Sequence, residues 1–195
     1  ARQTGYPVIS VSQSMRIISL YVDGKRHVLE PSESILASAN QALSALERYK
    51  ARLDQTSAGL DSLEIEDLVT VRDVTSVLQL MEMVRRISAD IDSYVLELGT
   101  DGRLLALQVE ELTRGLLAEH GFLLEDYLPE GLDTATVDAR LKWVGSPALL
   151  DLAMVARSMG LGGIDGQDLD AQVSPRGLRI LSKIPRLPVV TARAV

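Results

Sequence analysis

The sequence predicts a predominantly helical α+β fold, in which a short antiparallel β portion, the remnant of a larger sheet, precedes a multi-helix bundle. Apolar, β-branched runs flank an Asp23-Gly24 turn near the start, which is typical of a hairpin. From Ser32 onward, apolar residues recur at three- and four-residue steps, which indicates helices. The chain is 46% hydrophobic but only 4% aromatic, so Leu, Val, Ile, Met and Ala must form the core of the bundle.

The β portion is expected to contain three strands. Pro7 to Ser12 forms the first, Ile17 to Val22 the second, and Lys25 to Glu30 pairs back across the turn. Three strands with one face uncovered are marginally stable by themselves. We therefore expect them to be the edge of a larger sheet.

The first long helix is predicted to begin at Ser32, whose hydroxyl can cap the free amides of the first turn. Its apolar stripe runs from Ile35 to Leu53, and we expect the helix to reach about Gln55. The small polar stretch from Thr56 to Asp61 contains Gly59 and is expected to be a break or a weak point. A capping box is then expected to start the next helix, with Thr70 as its N-cap and Asp73 at N3.

A helical hairpin is predicted at the centre of the chain, between Ser93 and Gly115. Gly99 ends one helix, a short polar turn follows, and a second helix starts at Arg103. A connection this short predicts antiparallel helices. The first apolar stripe contains Val74, Val77, Leu78, Met81, Val84, Ile87, Ile91, Val95 and Leu98. The second contains Leu104, Leu105, Leu107, Val109, Leu112, Leu116 and Leu117.

Shorter helices are expected beyond this hairpin, giving roughly seven helical segments in all. Ser-Pro pairs at Ser146 and Ser174 each favour a helix start, because Ser caps and Pro fits the first helical position. The glycine run from Gly160 to Gly163 is predicted to be a helix stop. Pro185 and Pro188 break the last predicted helix, and the final residues are expected to be the first turn of a further element.

The charge of the chain is unevenly distributed. Net charge is −7, yet the last 25 residues carry five basic side chains and no acidic one. Such a segment can face nucleic acid, although these residues taken alone are better explained as a solvated basic helix face. The five residues are Arg176, Arg179, Lys183, Arg186 and Arg193.

Several classes of protein are disfavoured by composition. No cysteine is present, which excludes disulfides, thiolate metal sites and a cysteine nucleophile, and which fits the cytoplasm. No apolar run approaches the roughly 20 residues that span a bilayer, and no signal peptide opens the chain, so no membrane partner is expected.

Catalytic and metal-binding constellations are not predicted in this chain. His27 and His120 lack metal-site spacing, and the pairs Glu110-Glu111 and Glu125-Asp126 are interpreted as solvated helix faces. The glycine run at Gly160 follows a helix and lacks the lysine of a phosphate-binding loop. Serines at the end of the first strand, Ser10, Ser12 and Ser14, are the remaining candidates for phosphate contact.

Three stretches carry a family resemblance. These are Arg2 to Ser12, Ile17 to Tyr21 and, above all, Tyr94 to Leu105 with Gln108 to Thr113; Ser174 to Arg179 and Ile184 to Leu187 extend it. The chain resembles the DisA family of bacterial DNA-integrity scanning diadenylate cyclases over nearly its whole length. The resemblance implies an enzyme that joins two ATP molecules into cyclic di-AMP with Mg or Mn. It also implies a homo-octamer whose spine is a helical linker domain, and a helix-hairpin-helix domain that binds branched DNA.

The resemblance assigns residues 1–30 to the last strands of the cyclase domain, 31–184 to the linker, and 185–195 to the start of the DNA-binding domain. The family's Asp-Gly-Ala and Arg-His-Arg motifs are absent, so this chain is predicted to be inactive by itself and to bind no metal. Among nucleotide contacts only Ser12 is carried over. Arg16 stays open as a substitute for a phosphate-binding arginine of the family, and no DNA-binding residue is assigned.

Two alternatives remain open at this point. One is a self-contained helical scaffold or oligomerisation protein, and the other is a nucleic-acid-binding protein that acts through its basic tail. The chain opens on an inner strand and closes in the first turn of a helix, which favours a piece of a longer cyclase over both.

Overall fold

A computed structural model describes residues 5–13, 17–163 and 166–193, which form three strands and nine α-helices. The strands are β1 (Val8–Ser12), β2 (Ile17–Val22) and β3 (Lys25–Leu29). The helices are α1 (Ser32–Glu66), α2 (Val71–Leu98), α3 (Arg103–Thr113), α4 (Leu116–Tyr127), α5 (Thr134–Trp143), α6 (Ser146–Leu149), α7 (Leu152–Met159), α8 (Leu178–Ser182) and α9 (Val189–Ala192). The predicted α+β class with mostly helical content is confirmed.

The strands form one antiparallel sheet in the order β1-β2-β3, with Val8 opposite Tyr21 and Ile18 opposite Leu29. Because side chains alternate across a sheet, this register places one set of aliphatic residues on a single face. Ile9 and Val11 on that face are 68% and 65% exposed. The set comprises Ile9, Val11, Ile18, Leu20, Val22 and Leu29.

The helix α1 is continuous for 35 residues, about 52 Å, so the predicted break near Gly59 is wrong. Ser57 and Leu60 are buried on either side of this glycine, and their packing holds the helix together. Asp67 ends α1 in the left-handed conformation, with φ of 54°. The predicted Ser32 cap is also wrong, because Ser32 is the first helical residue and makes no capping hydrogen bond.

The start of α2 and the central turn follow the prediction. Thr70 donates its amide to Asp73 Oδ2 at 3.0 Å, completing a capping box. Gly99–Gly102 forms a 3-10 turn, in which Gly99 has φ of 59°. A Cβ at Gly102 would lie 3.0 Å from Val95 Cα, so the turn requires a glycine there.

The second stripe of the hairpin differs from the prediction. Gly115, with φ of 80°, separates α3 from α4, and only Leu105 and Val109 of the stripe are buried. Leu104, Leu107 and Leu117 are more than half exposed. These three leucines therefore lie at the surface and not in the core.

The later helices divide more finely than predicted. Ser146-Pro147 does begin α6, but Asp151 caps a separate α7, which ends at Gly160 in the predicted stop. Ser174-Pro175 begins no helix, because α8 starts at Leu178. Ser174 instead donates to Asp67 Oδ1 at 3.1 Å.

One hydrophobic core runs through the helices, starting at Ile35, and α1 and α2 supply most of it. Within the described residues, no helix is both long and apolar enough to cross a bilayer.

Candidate functional site

Residues 169–193, at the end of the described chain, pack against α1, α2 and α4. Leu169 and Ala171 accept the first amides of α2, at 2.8 and 3.0 Å, and Val173 donates to Val69 at 2.9 Å. These backbone hydrogen bonds hold residues 169–173 beside the start of α2. As a result, α8 packs against α1 and α4.

Arg179 of α8 is completely buried and forms an ion pair with α1. Its Nε donates to Glu64 Oε1 at 3.0 Å and its Nη2 to Glu64 Oε2 at 2.7 Å, which is a two-pronged contact. Nη2 also lies 2.6 Å from Asp61 Oδ1, and Nη1 donates to Ser57 at 3.1 Å. We call Ser57, Asp61, Glu64, Asp126, Tyr127 and Arg179 the Arg179 cluster.

Two members of the cluster lie on α4, and a third residue of α4, Glu119, accepts from the Ser57 hydroxyl at 2.9 Å. Tyr127 donates its hydroxyl to Glu64 Oε1 at 2.8 Å. The Asp126 carboxylate accepts the amides of Leu178 and Arg179, both at 2.7 Å, and so caps α8 from another helix. The predicted solvated position of Asp126 is wrong, since this residue is only 2% exposed.

Burial and neighbouring charges act against each other in the cluster. Burial raises the pKa of Asp126, and the two backbone amides oppose this only in part. Burial likewise raises the pKa of Tyr127, and the Glu64 carboxylate raises it further. For Arg179, burial disfavours the charge, but the Glu64 and Asp61 carboxylates hold its pKa above the ordinary value. The guanidinium is therefore charged and compensated.

Three of the five basic residues of the tail, Arg179, Lys183 and Arg193, pair with carboxylates of the bundle. Lys183 lies 2.5 Å from Asp61 Oδ2, and Arg193 lies 2.6 Å from Glu125 Oε1. Arg176 donates to the Leu128 carbonyl at 3.0 Å. The interpretation of these residues as a solvated helix face is wrong for Arg179, and the ion pairs weaken the case for a free nucleic-acid-binding tail.

The burial of Arg179 is not predicted above, although the sequence of α1 contains a signal for it. Ser57 and Glu64 occupy positions in the α1 stripe that also holds Leu53 and Leu60, and both are buried. Polar residues at stripe positions indicate a buried polar partner from elsewhere in the chain.

Ser12, the predicted nucleotide contact, ends β1 opposite Ile17 and is half-buried. Ser10 lies on the same face of β1, opposite Ser19. Ser14 and Arg16 lie outside the described residues. Whether Arg16 replaces a phosphate-binding arginine of the family therefore stays open. No three His, Asp or Glu side chains among the described residues are placed to hold a metal ion.

The two histidines lie on different elements of the fold. His27 is exposed on β3. His120 on α4 is largely buried, with Nε2 3.6 Å from Asp138 Oδ1 on α5. Burial lowers the pKa of His120, and nearby Arg85 adds to this, while Asp138 and Glu82 oppose it.

Residues 29–167 match the family described as "DisA bacterial checkpoint controller linker region". The chain belongs to this family. It is 58% identical over 193 residues to the "DNA integrity scanning protein DisA" of Acidothermus cellulolyticus, covering 96% of this chain and 52% of the relative. The corresponding proteins of Streptomyces coelicolor and Kineococcus radiotolerans are 56% and 51% identical, again over 96% of this chain and 51% and 53% of theirs.

The resemblance to DisA is thereby confirmed. The chain spans about half the length of the curated relatives that it matches. The family match covers the whole of α1 through α7, which contain Asp61, Glu64 and Asp126. Arg179 lies outside the matched residues, so the Arg179 cluster joins them to the segment that follows residue 167.

Proposed function

We propose that this chain is the connecting trunk of a DisA-type diadenylate cyclase, which converts two ATP molecules into cyclic di-AMP and two pyrophosphates. The match to the linker family, together with relatives named for DNA integrity scanning, supports this proposal. Residues 1–30 are assigned to the cyclase domain, 31–184 to the linker and 185–195 to the start of the DNA-binding domain.

The sheet supports a role as part of a larger cyclase domain. Its aliphatic face, which includes Ile9 and Val11, is open, and exposed apolar area of this kind is costly in water. We assign further strands and helices of the cyclase domain as its cover. Ser12 then lies beside the nucleotide, where its hydroxyl donates to a phosphate oxygen.

The metal of the reaction, Mg or Mn, is not assigned to this chain. Such ions require several carboxylate or phosphate oxygens, and the described residues offer no suitable group of three ligands. Apart from the Ser12 contact, ATP and its metal are therefore assigned to other parts of the cyclase, and the chain alone is proposed to be inactive.

The helical surface supports assembly of several copies, as a spine requires. Leu96, Leu104 and Leu107 surround or follow the central turn and are 84%, 69% and 56% exposed. We assign this surface to contacts within a cytoplasmic homo-oligomer, an octamer by family resemblance. Branched DNA is assigned to the domain that follows α9.

A paired assay tests the proposal. The longer gene product that contains this sequence is incubated with ATP and Mg or Mn, and cyclic di-AMP is measured by mass spectrometry beside the chain alone. We expect product from the longer protein only. Failure of the longer protein with both metals would overturn the cyclase assignment, and product from the chain alone would overturn its inactivity.

A further inference from the structure

The two outer strands of the sheet differ in charge. In the order β1-β2-β3, β1 and β3 each have one side along which no strand pairs within the described residues. Lys25, Arg26 and His27 follow one another on β3, whereas β1 has the sequence Val-Ile-Ser-Val-Ser and carries no charged residue. Natural sheets protect a true edge with charged side chains, lysine above all. The composition of β3 is therefore that of an outer edge, and the composition of β1 is not.

The turn between β2 and β3 determines which backbone groups lie on the outer side of β1. Asp23 and Gly24 have φ of 49° and 73°, both positive, as the two-residue turn of a hairpin requires. The residues that flank such a turn, here Val22 and Lys25, exchange both of their backbone hydrogen bonds. Hydrogen bonds alternate in direction along β2, so Tyr21 bonds to β1 instead.

The same alternation continues into β1. Val8 lies opposite Tyr21, so Val8 directs its N–H and C=O groups towards β2. Ile9 and Val11 occupy the alternate positions and direct their N–H and C=O groups away from β2. Each of these two residues therefore offers one donor and one acceptor on the outer side of β1.

These backbone groups lie beside the open aliphatic face of the sheet, to which the side chains of Ile9 and Val11 belong. The rest of the cyclase domain is assigned above as the cover of that face. Covering it also removes the neighbouring backbone groups from water, and a buried N–H or C=O without a partner is costly. Another β-strand supplies donors and acceptors at the required spacing.

We propose that the outer side of β1 pairs with a further β-strand of the cyclase domain, an inference that rests on the function proposed above, and that the sheet ends at β3. The backbone of Ile9 and Val11 makes the pairing hydrogen bonds. Side chains opposite these two residues lie on the aliphatic face, so the added strand carries apolar residues such as valine or isoleucine there.

The added strand is assigned to a part of the protein outside this sequence. The chain spans about half the length of its DisA relatives, which therefore contain about as much polypeptide again. A second copy of β1 fits less well as the partner. Pairing two copies of the sheet edge to edge would leave the aliphatic face of both in water.

Hydrogen exchange resolved to single amides tests the proposal, in the longer gene product that contains this sequence and in the chain alone. Mass spectrometry with electron-transfer fragmentation gives this resolution. We expect the amides of Ile9 and Val11 to exchange at least about 100-fold more slowly in the longer protein than in the chain alone. The amides of Arg26 and Val28 point outward from β3 by the same alternation, and as the matched control they should exchange rapidly in both.

Two proline variants separate strand pairing from simple burial. Val11→Pro removes one N–H from the outer side of β1, and it should speed exchange of the Ile9 amide at least about tenfold in the longer protein. Val28→Pro makes the same change on the outer side of β3 and should leave the Ile9 amide unaffected. Equal exchange of Ile9 in both variants would indicate burial without pairing and would overturn the proposal.

Three further results would overturn it. One is exchange of Ile9 and Val11 in the longer protein as fast as that of Arg26 and Val28. Another is protection of Arg26 and Val28 instead, which would place the added strand on β3. A third is protection of Ile9 in the chain alone that increases with concentration, since this would identify a second copy as the partner. Each can occur in a longer protein that makes cyclic di-AMP, so the exchange measurement and the cyclase assay fail independently.

Discussion

Arg179 and Glu64 form a buried two-pronged ion pair although 115 positions separate them in the chain. The arginine belongs to the short helix α8, and the glutamate lies near the end of the 35-residue helix α1. A five-residue helix has little intrinsic stability. The ion pair and the Asp126 cap therefore determine where α8 lies and in which direction the chain continues.

Replacing Arg179 should destabilise the protein strongly. Arg179→Met leaves the Glu64 carboxylate buried without its partner, and we expect a loss of roughly 3–5 kcal/mol in the free energy of unfolding. Urea denaturation followed by circular dichroism measures this loss. Arg193→Met is the matched control, and its exposed pair with Glu125 should contribute far less.

The double variant separates charge from packing. In Arg179→Met with Glu64→Gln, the buried Glu64 charge that lost its partner is removed as well, so part of the lost stability should return. Strict additivity of the two single changes would show that the ion pair is not the reason for the loss.

How much of the fold could be predicted from the sequence depends on how far apart in the chain the interacting residues are. The Thr70 capping box, the Gly99 turn and the β hairpin depend on residues within a few positions, and all three are confirmed. The continuity of α1 at Gly59 could not be predicted locally, because side chains from other helices cover Ser57 and Leu60.

The candidate site was less predictable than the fold. Arg179 finds its partners 53 to 122 positions away, so its basic character indicates solvent or nucleic acid when it is considered with its neighbours alone. Ser12 was identified by family resemblance, and its role stays a prediction.

The stability of the protein should fall as the pH drops below the pKa of a free histidine side chain. The pKa of His120 is lower in the folded state than its ordinary value of 6.5, so the unfolded chain binds the proton more readily. Its stabilising contribution is present above pH 6.5 and is lost as pH falls through the folded pKa. Urea midpoints at several pH values check this, with His120→Gln as the variant that should lose this component.

Histidine NMR gives an independent check of the same prediction. The His120 ring should titrate with a midpoint below 6.5. A midpoint above 6.5 would mean that Asp138 outweighs burial, and the pH dependence would then have the opposite sign.

Self-association should depend on the exposed leucines of α3. Leu104 and Leu107 are three positions apart and share one helix face, so lysine at both should disrupt an apolar contact. Light scattering over a range of concentrations should show a lower mass for the double variant. Leu150→Lys is the matched control, since Leu150 is 66% exposed on another part of the bundle. An unmodified chain that is monomeric at every concentration would contradict the assignment of this surface to contacts between copies of the chain.

Ser12 should matter for nucleotide binding in the longer protein. Loss of one hydrogen bond in Ser12→Ala should raise KM for ATP by about two- to tenfold. Ser10→Ala, two positions earlier on the same face of β1, is the control and should change KM little. An unchanged KM in the Ser12 variant would remove this residue from the site.

The central claim is that the linker bundle and α8 form one rigid unit, and amide hydrogen exchange tests it most directly. The amides of Leu178, Arg179 and Leu181 should exchange within about tenfold of the slowest amides of α1, and Arg179→Met should release them while α2 stays protected. Exchange of α8 at the rate of an unstructured peptide in the unmodified chain would contradict the claim.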